Sequence, residues 1–527
     1  MSNLQFIQVK ILYGDHPEQI QSLYDKSMST DSALPRSPHT LAITIAVMAC
    51  IVMNVLDITI VNVALPHMEG SLHANANQIT WALTTYMLAM VIVTPLTGLL
   101  VERFGQRQLI LWSVAGFLVC SIMSGQSHSL TEIVLWRFMQ GALGASLVPV
   151  GQSILLETYP LEKRGIAMAT LGMGTMLGPI VGPVLGGYLT EQLSWRWCFY
   201  VNIPIGMIAF IMLLVYVPAF GKSDAPRPID WLGFLWMAIG LGALQMMLSL
   251  GDQDGWFSSD FIIILILLAS AGIFLFVIRS LSITHPLVNL RLLKDRSLTL
   301  GSAGIGLFGL ALYGTMVILP IYLQNDMGYE AQTAGLVMAP QGMGSWISMW
   351  VAGRLLNRGF NPRLMIMSGI FLGATGTWLS LSYNLQISPA WIIWPGVIRG
   401  LGLGLVSIPL FTLAFTTLSK EQTPEGSGIF NLMRNLGGSV GIAIISTIMT
   451  EEAQEAWNQM GGHINPFNMA LPQYLGAAGL TQGKLAWQVL GQVLAQHAAM
   501  RGILDAFTFL FWSFLAVLII VLLMKKK

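Results

Sequence analysis

Charged side chains are scarce in this sequence, since Asp, Glu, Lys and Arg together make up only 10% of its 527 residues. A soluble protein carries about a quarter of its residues as charges. At the same time 54% of the residues are hydrophobic and the mean hydropathy is +0.67. The composition therefore excludes a soluble globular protein and predicts an integral membrane protein. A net charge of only +1 indicates no nucleic-acid partner.

Cysteine and histidine are also rare. Cys50, Cys120 and Cys198 lie in or beside apolar stretches, at spacings that fit neither a metal site nor a disulfide framework. The eight histidines fall in tails or loops outside the apolar segments, so a Ser–His or metal-dependent enzyme inside the membrane would lack its base or its ligands. We therefore expect no enzyme, no metal and no other cofactor. A membrane sensor without transport is the other rival class.

The chain does contain about fourteen apolar segments, each near the 20 residues that a membrane-spanning helix needs. We place them at roughly residues 41–65, 78–100, 108–126, 131–155, 166–189, 198–217, 229–251, 258–280, 298–324, 331–353, 364–384, 389–416, 426–449 and 502–524. Basic residues concentrate in alternate loops, and the loops between them hold only Arg196, Lys484 and Arg501. The positive-inside rule then places both termini in the cytosol.

An internal repeat indicates two related halves. Gly98-Leu-Leu-Val-Glu-Arg103 follows the second segment, and Gly353-Arg-Leu-Leu-Asn-Arg358 follows the tenth. Parallel halves of this kind place a binding site at their interface near the middle of the membrane. The predicted regions are a cytosolic tail (1–39), a six-helix half (40–217), two inserted helices with flanking cytosolic loops (218–297) and a second six-helix half (298–527). The last region includes a long polar outward loop (451–500), which is either functional or a passive cap.

The functional argument depends on Asp57, which lies inside the first apolar segment. A carboxylate near the middle of the hydrocarbon core costs a few kcal/mol on insertion scales, so we expect it to serve a function. Arg137 in the fourth segment lies at a similar depth and is expected to pair with Asp57. The alternatives are a structural hydrogen bond for Asp57 and snorkelling of Arg137 to the interface.

Two glycine-rich stretches predict helices that move. The first is the cytosolic turn formed by Gly98, Glu102, Arg103, Gly105 and Arg107. Its charges are expected to exchange partners between the halves, and a purely topogenic role is the alternative. The second has glycine at every fourth position beside two prolines, at Gly174, Gly178, Pro179, Gly182, Pro183, Gly186 and Gly187. Such a stripe lets a neighbouring helix approach closely, and the prolines favour bending or sliding over static packing.

A central cavity is expected to be mostly apolar, because the chain has 30 methionines and 10% aromatic residues. The polar and aromatic residues expected at its wall are Thr59, Asn62, Trp81, Tyr86, Gln140, Arg399 and Arg434. A structural role is an equal alternative for the two arginines, both of which lie near the middle of their segments.

From about residue 40 onward the chain resembles the fourteen-helix drug:proton antiporters of the major facilitator superfamily, of the EmrB/QacA type and most like the EmrB branch. The matching stretches are Leu56–Pro66, Gly98–Arg107, Arg137–Gly144, Gly174–Gly187, Trp195–Trp197 and Asn202–Pro204. The resemblance implies an all-α integral membrane protein with the major facilitator fold. It also implies proton coupling by Asp57 and Arg137, and it makes the Gly174–Gly187 stripe an antiporter signature. The chain departs from the family pattern at Glu102, where aspartate is usual.

The same resemblance implies an exporter of amphiphilic or hydrophobic compounds, driven by protons, in the bacterial inner membrane. The expected partners are small amphiphilic substrates, protons and membrane lipid. Through the loop 451–500 the resemblance also implies a periplasmic adaptor of the EmrA type and an outer-membrane channel of the TolC type. Symport, or export of a single metabolite or siderophore, is the alternative.

Overall fold

The computed structural model of the chain describes residues 39–74, 76–160, 163–218, 229–284, 286–419, 422–464, 468, 471 and 484–523. Over these residues fourteen long helices follow one another. In chain order they are α1 (Thr40–Leu72), α2 (Trp81–Phe104), α3 (Gln106–Gln126), α4 (Leu130–Thr158), α5 (Arg164–Gln192), α6 (Trp197–Tyr216), α7 (Trp231–Leu250), α8 (Asp260–Ser282), α9 (Arg296–Asp326), α10 (Ala331–Asn357), α11 (Pro362–Ser380), α12 (Pro389–Ala414), α13 (Thr423–Gly461) and α14 (Lys484–Leu523). The tail expected at residues 1–39 lies, except for His39, outside the described residues.

Twelve of the described helices are long and apolar enough to cross a membrane. The other two, α10 and α11, are of spanning length but richer in Gly, Ser and polar residues. α10 packs between α5 and α12, and α11 packs on α12 and α14. Because neighbouring helices cover these small-residue faces, they need less apolar surface than a face toward lipid. Fourteen spans are therefore compatible with the structure, and the fold is all-helical as expected.

The helices pack mainly within two groups, α1–α6 and α9–α14. Within the first group α1 lies against α4, α5 and α6, and within the second α9 lies against α12, α13 and α14. The groups meet where α5 runs along α10 and where α2 and α4 approach α13. Glycines permit the first of these contacts, since a Cβ added at Gly335 would lie 2.7 Å from Val184 Cγ2 and one at Gly353 would lie 2.6 Å from Ala169 Cβ.

The inserted helices α7 and α8 form a tight hairpin. A Cβ added at Gly240 of α7 would lie 2.6 Å from the backbone nitrogen of Ile273 in α8, so the two backbones are in direct contact. Asp230 caps the start of α7 by accepting a hydrogen bond from the Gly233 N–H at 2.9 Å. The same carboxylate pairs with Arg279 of α8 at 2.7 Å.

The α7–α8 hairpin lies beside the junction between the two groups. On α2 its contact is apolar, because the Cβ position of Gly242 lies 3.4 Å from the side chains of Leu88 and Ile92. On α13 its contacts are hydrogen bonds, namely Ser439 Oγ to Gln245 Oε1 (2.9 Å), Ser446 Oγ to Asp252 Oδ2 (2.7 Å) and Trp256 Nε1 to Thr447 Oγ1 (2.8 Å). The hairpin therefore touches both halves of the bundle.

Three helices are longer than their apolar segments predict. α1 continues to Leu72, so Asp57 lies near the middle of a helix of 33 residues. α13 continues to Gly461 and α14 begins at Lys484, so the described parts of the loop expected at 451–500 are mostly helical. Hydropathy alone does not detect these extensions, because they are polar or amphipathic.

Candidate functional site

A buried carboxylate with three donors forms the centre of the site. Asp57 Oδ2 lies 2.5 Å from Arg137 Nη1, and both side chains are 0% exposed. Asp57 Oδ1 accepts hydrogen bonds from Gln140 Nε2 at 3.0 Å and from Asn202 Nδ2 at 2.8 Å. The donors come from α4 and α6, which both pack near α1. A buried ion pair is tolerated only when further hydrogen bonds of this kind satisfy its remaining atoms.

The guanidinium of Arg137 is held from several directions. Its Nε donates to the Ala82 carbonyl at 3.1 Å, and its Nη1 also donates to Gln140 Oε1 at 2.9 Å. It lies 4.1 Å from the ring centre of Tyr86, within range of a cation–π contact. Gly141 allows this approach, since a Cβ there would lie 3.0 Å from the Cα of Tyr86. Tyr86 and Gln140, expected at the cavity wall, thus belong to the charge cluster.

Asn202 is a residue of this cluster that sequence reasoning missed. The sequence singles it out only through the family likeness of Asn202–Pro204. Its Nδ2 also donates to Ser121 Oγ at 3.1 Å, and Ser121 Oγ in turn donates to the Phe199 carbonyl at 2.9 Å. An amide near the start of an apolar segment was the available signal. Its Oδ1 is buried and has no hydrogen-bond partner in the part of the chain that the structure describes.

An open cavity lies between the two halves, next to the charge cluster. Its wall is formed by α1, α2, α4 and α5 on one side and by α9 and α13 on the other. Asn54 belongs both to this wall and to the support of the cluster, because its Nδ2 donates to the hydroxyl of Tyr86 at 2.9 Å. Asn54, Tyr86 and Arg137 therefore connect the cavity wall to the Asp57 carboxylate.

The cavity is closed toward the face of the bundle at which α1 begins, which we call the N-side face. Gln152 Oε1 of α4 accepts hydrogen bonds from Ser427 Oγ at 2.6 Å and from Asn431 Nδ2 at 2.8 Å, both on α13. All three side chains are buried. Nearby, a Cβ added at Gly98 would lie 2.8 Å from Glu425 Cγ, so α2 and α13 are in close contact there.

Toward the opposite face the cavity is open. Ile58 lines it, and Asn62, one turn further along the same side of α1, is exposed. Thr59 also lines the cavity, and its hydroxyl donates to the Gly178 carbonyl at 3.0 Å. Of the α1 residues expected at the wall, Thr59 is therefore in place, and Asn62 lies beyond it toward the opening.

The turn between α2 and α3 lies at the N-side face. Gly105 has φ +81° and ψ 155°, a left-handed backbone conformation that favours glycine. Arg107 donates to the Leu214 carbonyl within the same half, Arg103 is exposed and Glu102 is half-buried. Exchange of partners between the halves stays a prediction for these charges.

The glycine stripe of α5 packs against α1, the helix that carries Asp57. A Cβ added at Gly174 would lie 2.5 Å from Met48 Cε, and one at Gly178 would lie 2.8 Å from the Val55 carbonyl carbon. Gly182 and Gly186 face the next turn of α1 at Thr59 and Ile60. The helix is continuous from Arg164 to Gln192. Its expected bending or sliding stays a prediction.

The remaining predicted wall residues lie in different places. Trp81 is half-buried against α7 and α8, in an apolar cluster with Leu250 and Ile262, and does not line the cavity. The expectation was wrong because composition does not indicate which way an aromatic ring points. Arg399 is buried outside the cavity wall, where it donates to Gln341 Oε1 at 2.9 Å and to Ser380 Oγ at 3.1 Å. Arg434 does line the cavity.

Two helical halves around a central cavity, with a buried carboxylate–arginine pair beside it, define a membrane transporter. The sequence profile of the Major Facilitator Superfamily matches residues 47–442. The multidrug export protein EmrB of Escherichia coli (strain K12) is 34% identical over 483 residues, which are 91% of this chain and 93% of that protein. The fatty acid resistance protein FarB of Neisseria gonorrhoeae is 32% identical over 445 residues, 84% of this chain and 88% of that one.

Solved structures agree on the fold. The crystal structure of the human organic anion transporter MFSD10 aligns with a TM-score of 0.60 at 12% identity, over 92% of this chain and 100% of that one. A bacterial homologue of the transporter Spinster, in an inward-facing conformation, aligns with a TM-score of 0.56 at 14% identity, over 92% and 97%. The chain belongs to the Major Facilitator Superfamily, in its EmrB-type branch, and is a multi-pass inner-membrane protein.

Proposed function

We propose that the chain is a proton-coupled efflux transporter of the multidrug type, which exports amphiphilic or hydrophobic compounds in exchange for protons. The observation that carries this proposal is the fully buried Asp57 carboxylate, which Arg137, Tyr86 and Asn54 connect to the wall of the cavity between the halves. The names of relatives in the same branch support export, because they are multidrug export, fatty acid resistance and colistin resistance proteins. The compounds in those names differ in their chemistry, so the names do not identify the substrate of this chain.

Asp57 carries the proton in this proposal. Its Oδ1 already accepts two N–H donors, so an arriving proton is held by Oδ2, the oxygen that faces Arg137. The new O–H then points toward the Nη1 donor, and the guanidinium must move away. The Ala82 carbonyl and the Tyr86 ring continue to hold the arginine, so it does not become a bare buried cation.

The movement of Arg137 links the proton to the cavity. Arg137 lies on Tyr86, and Tyr86 accepts a hydrogen bond from the wall residue Asn54. Protonation therefore favours one arrangement of the halves, and a substrate in the cavity favours another. Each ligand shifts this equilibrium only by the difference in its affinity for the two arrangements.

The N-side face is assigned to the cytosol in this proposal, with both termini there. What supports this is the concentration of basic residues in the loops on that side. The arrangement described above is then closed to the cytosol and open outward, ready to release substrate and to take up a proton. A proton moving through ~100 mV supplies about 2.3 kcal/mol, and one pH unit supplies about 1.4 more. Together they sustain roughly a several-hundred-fold gradient of a neutral substrate.

Asp57→Asn tests the proton role. The amide keeps the shape of the side chain but cannot take up or release a proton at physiological pH. We therefore expect pH-driven transport of an amphiphilic dye in proteoliposomes to fall to the level of protein-free vesicles. Asp254→Asn, which removes an exposed carboxylate from the α7–α8 loop, is the matched control and should leave transport unchanged. A folded Asp57→Asn protein that transports at the wild-type rate under a pH gradient would refute the proposal.

We further propose that the ends of α13 and α14 bind a periplasmic adaptor of the EmrA type, which leads to an outer-membrane channel of the TolC type. The support is their length: helices of 39 and 40 residues span about 60 Å, twice the hydrocarbon core. Trp457 and Trp487 on these extensions are 41% and 51% exposed. Replacing both by alanine should abolish co-purification with the adaptor from the same cells while transport in proteoliposomes persists. Undiminished co-purification would refute the proposal.

A further inference from the structure

Arg434 is the one charged side chain in the wall of the central cavity, among the residues that the structure describes. The rest of the wall consists of neutral polar groups such as Asn435 and of apolar side chains such as Met87, Met90 and Met316. Asp57 and Arg137 do not line the cavity. The cavity therefore presents a single positive charge in largely apolar surroundings.

Among the described residues, none provides a counter-charge for this guanidinium. Within the described chain it makes no hydrogen bond or ion pair, and its Nε is buried without an acceptor. Arg434 is half-buried, and the two fully buried arginines differ from it, since Arg137 has the carboxylate of Asp57 and Arg399 has the side-chain oxygens of Gln341 and Ser380. An arginine at membrane depth requires an anionic or carbonyl partner. For Arg434 the described protein supplies none.

Close helix packing holds Arg434 at this place. The Cβ position of Gly309 on α9 directly meets the Arg434 carbonyl, and a Cβ added at Gly438 on α13 would lie 2.5 Å from the Tyr313 ring. The backbones of α9 and α13 are therefore in contact at this level. Tyr313 and Arg434 both belong to the cavity wall, and α13 cannot rotate to turn the guanidinium away without breaking this contact.

We propose that the cavity selects amphiphilic anions, with a carboxylate or phenolate bound by Arg434 and Asn435 and an apolar body among Met87, Met90 and Met316. This inference rests on the proposed export function and names its substrate class. Charge-assisted hydrogen bonds from a guanidinium to a carboxylate are about twice as strong as neutral ones. A cationic amphiphile would meet an uncompensated like charge, and a neutral one would leave the guanidinium unpaired.

The first test uses the wild-type protein and three fluorescent probes with the same body: dansyl-labelled undecanoic acid, its methyl ester and the corresponding terminal amine. Binding to the purified full-length chain is measured at pH 7.5 by dansyl fluorescence, with no pH gradient. The acid is expected to bind at least tenfold more tightly than the ester, and the amine most weakly. Equal affinities for acid and ester, or tightest binding of the amine, would overturn the inference.

The second test changes the arginine. Arg434→Gln should lower the affinity for the acid about tenfold and leave the ester within about twofold, whereas Arg434→Lys should keep most of the preference. Arg501→Gln, which removes an exposed cation from α14, is the matched control and should change neither affinity. A parallel loss of affinity for all three probes would show a structural role and overturn the inference. Because binding needs no proton gradient, failure of proton-driven export would appear in the Asp57→Asn transport assay and not here.

Discussion

Gly178 and Gly174 lie one turn apart in the same stripe of α5, yet an added methyl group should have different effects at the two positions. At Gly178 the new Cβ would lie 2.8 Å from the Val55 carbonyl carbon and 2.9 Å from the Leu56 nitrogen, backbone atoms of α1 that cannot turn aside. At Gly174 the nearest atoms are the Cε and Sδ of Met48, at 2.5 and 3.1 Å. The end of a methionine side chain is flexible and can move aside.

Forcing α1 away from α5 costs about 1–3 kcal/mol, as overpacking does in other tight interfaces. Alanine recovers part of this through its helix propensity, by up to about 1 kcal/mol relative to glycine. We therefore expect Gly178→Ala to lower the free energy of unfolding by about 1–2 kcal/mol. Gly174→Ala should stay within about 0.5 kcal/mol of the wild type or be more stable. Unfolding by sodium dodecyl sulfate in mixed micelles, followed by far-UV circular dichroism, measures both.

The same comparison extends to transport. The Val55–Leu56 peptide that Gly178 touches lies one residue before Asp57 on the same helix, so displacing it moves the carboxylate relative to Arg137. Gly178→Ala should reduce pH-driven transport about tenfold, equivalent to about 1.4 kcal/mol, and Gly174→Ala should retain it. Equal losses of stability in the two variants, or a larger loss for Gly174→Ala, would refute the reasoning.

Two further predictions concern the N-side face and the inserted hairpin. Gln152→Leu removes the acceptor of the buried Ser427 hydroxyl and both hydrogen bonds from α13 to Gln152, although Asn431 still donates to the Ser427 carbonyl at 2.9 Å. An unpaired buried donor costs about 1–3 kcal/mol, so a cysteine introduced in the cavity wall should become at least several-fold more reactive to a thiol reagent from that face. Unchanged labelling would contradict this. Burial raises the pKa of Asp230, but the hydrogen bond from Arg279 and a backbone N–H outweigh it, so the pKa lies below its ordinary value. The pair therefore stabilises the folded protein fully above the unfolded-state pKa of about 3.9. This stabilisation is lost as the pH falls through the lower pKa of the folded state. Asp230→Asn should lower the unfolding midpoint more at pH 7 than at pH 3, and an equal change at both would count against it.

The sequence was sufficient to find the ion pair, because a charged residue in an apolar segment is conspicuous whatever its orientation. Asp57 and Arg137 were recognisable for that reason, and the structure places them in contact. Asn202 was not recognisable, because an amide costs less free energy than a charge in a membrane-spanning helix and is common there. Trp81 was misplaced because an aromatic ring suits a cavity wall and a helix–helix contact equally well. Telling these apart requires knowing which neighbour each helix face meets.

The ends of the helices were also only partly predictable from the sequence. The apolar segments located the spans, since hydropathy measures what lipid requires. It carries no information about helix that continues into water, which is why α13 and α14 extend beyond their segments. The stripe at Gly174–Gly187 predicted a close helix contact, but its partner α1 could be named only from the structure.

The α7–α8 hairpin joins the two halves through contacts of different kinds, and this difference determines which half it moves with. Its hydrogen bonds to α13, such as the one from Trp256, are directional and resist displacement. Its apolar contact with α2 at Gly242 has no preferred register and permits sliding. We therefore expect the hairpin to follow α13 when the halves rotate, so that eight helices would turn against six and the surface that slides would be the one between the hairpin and α2.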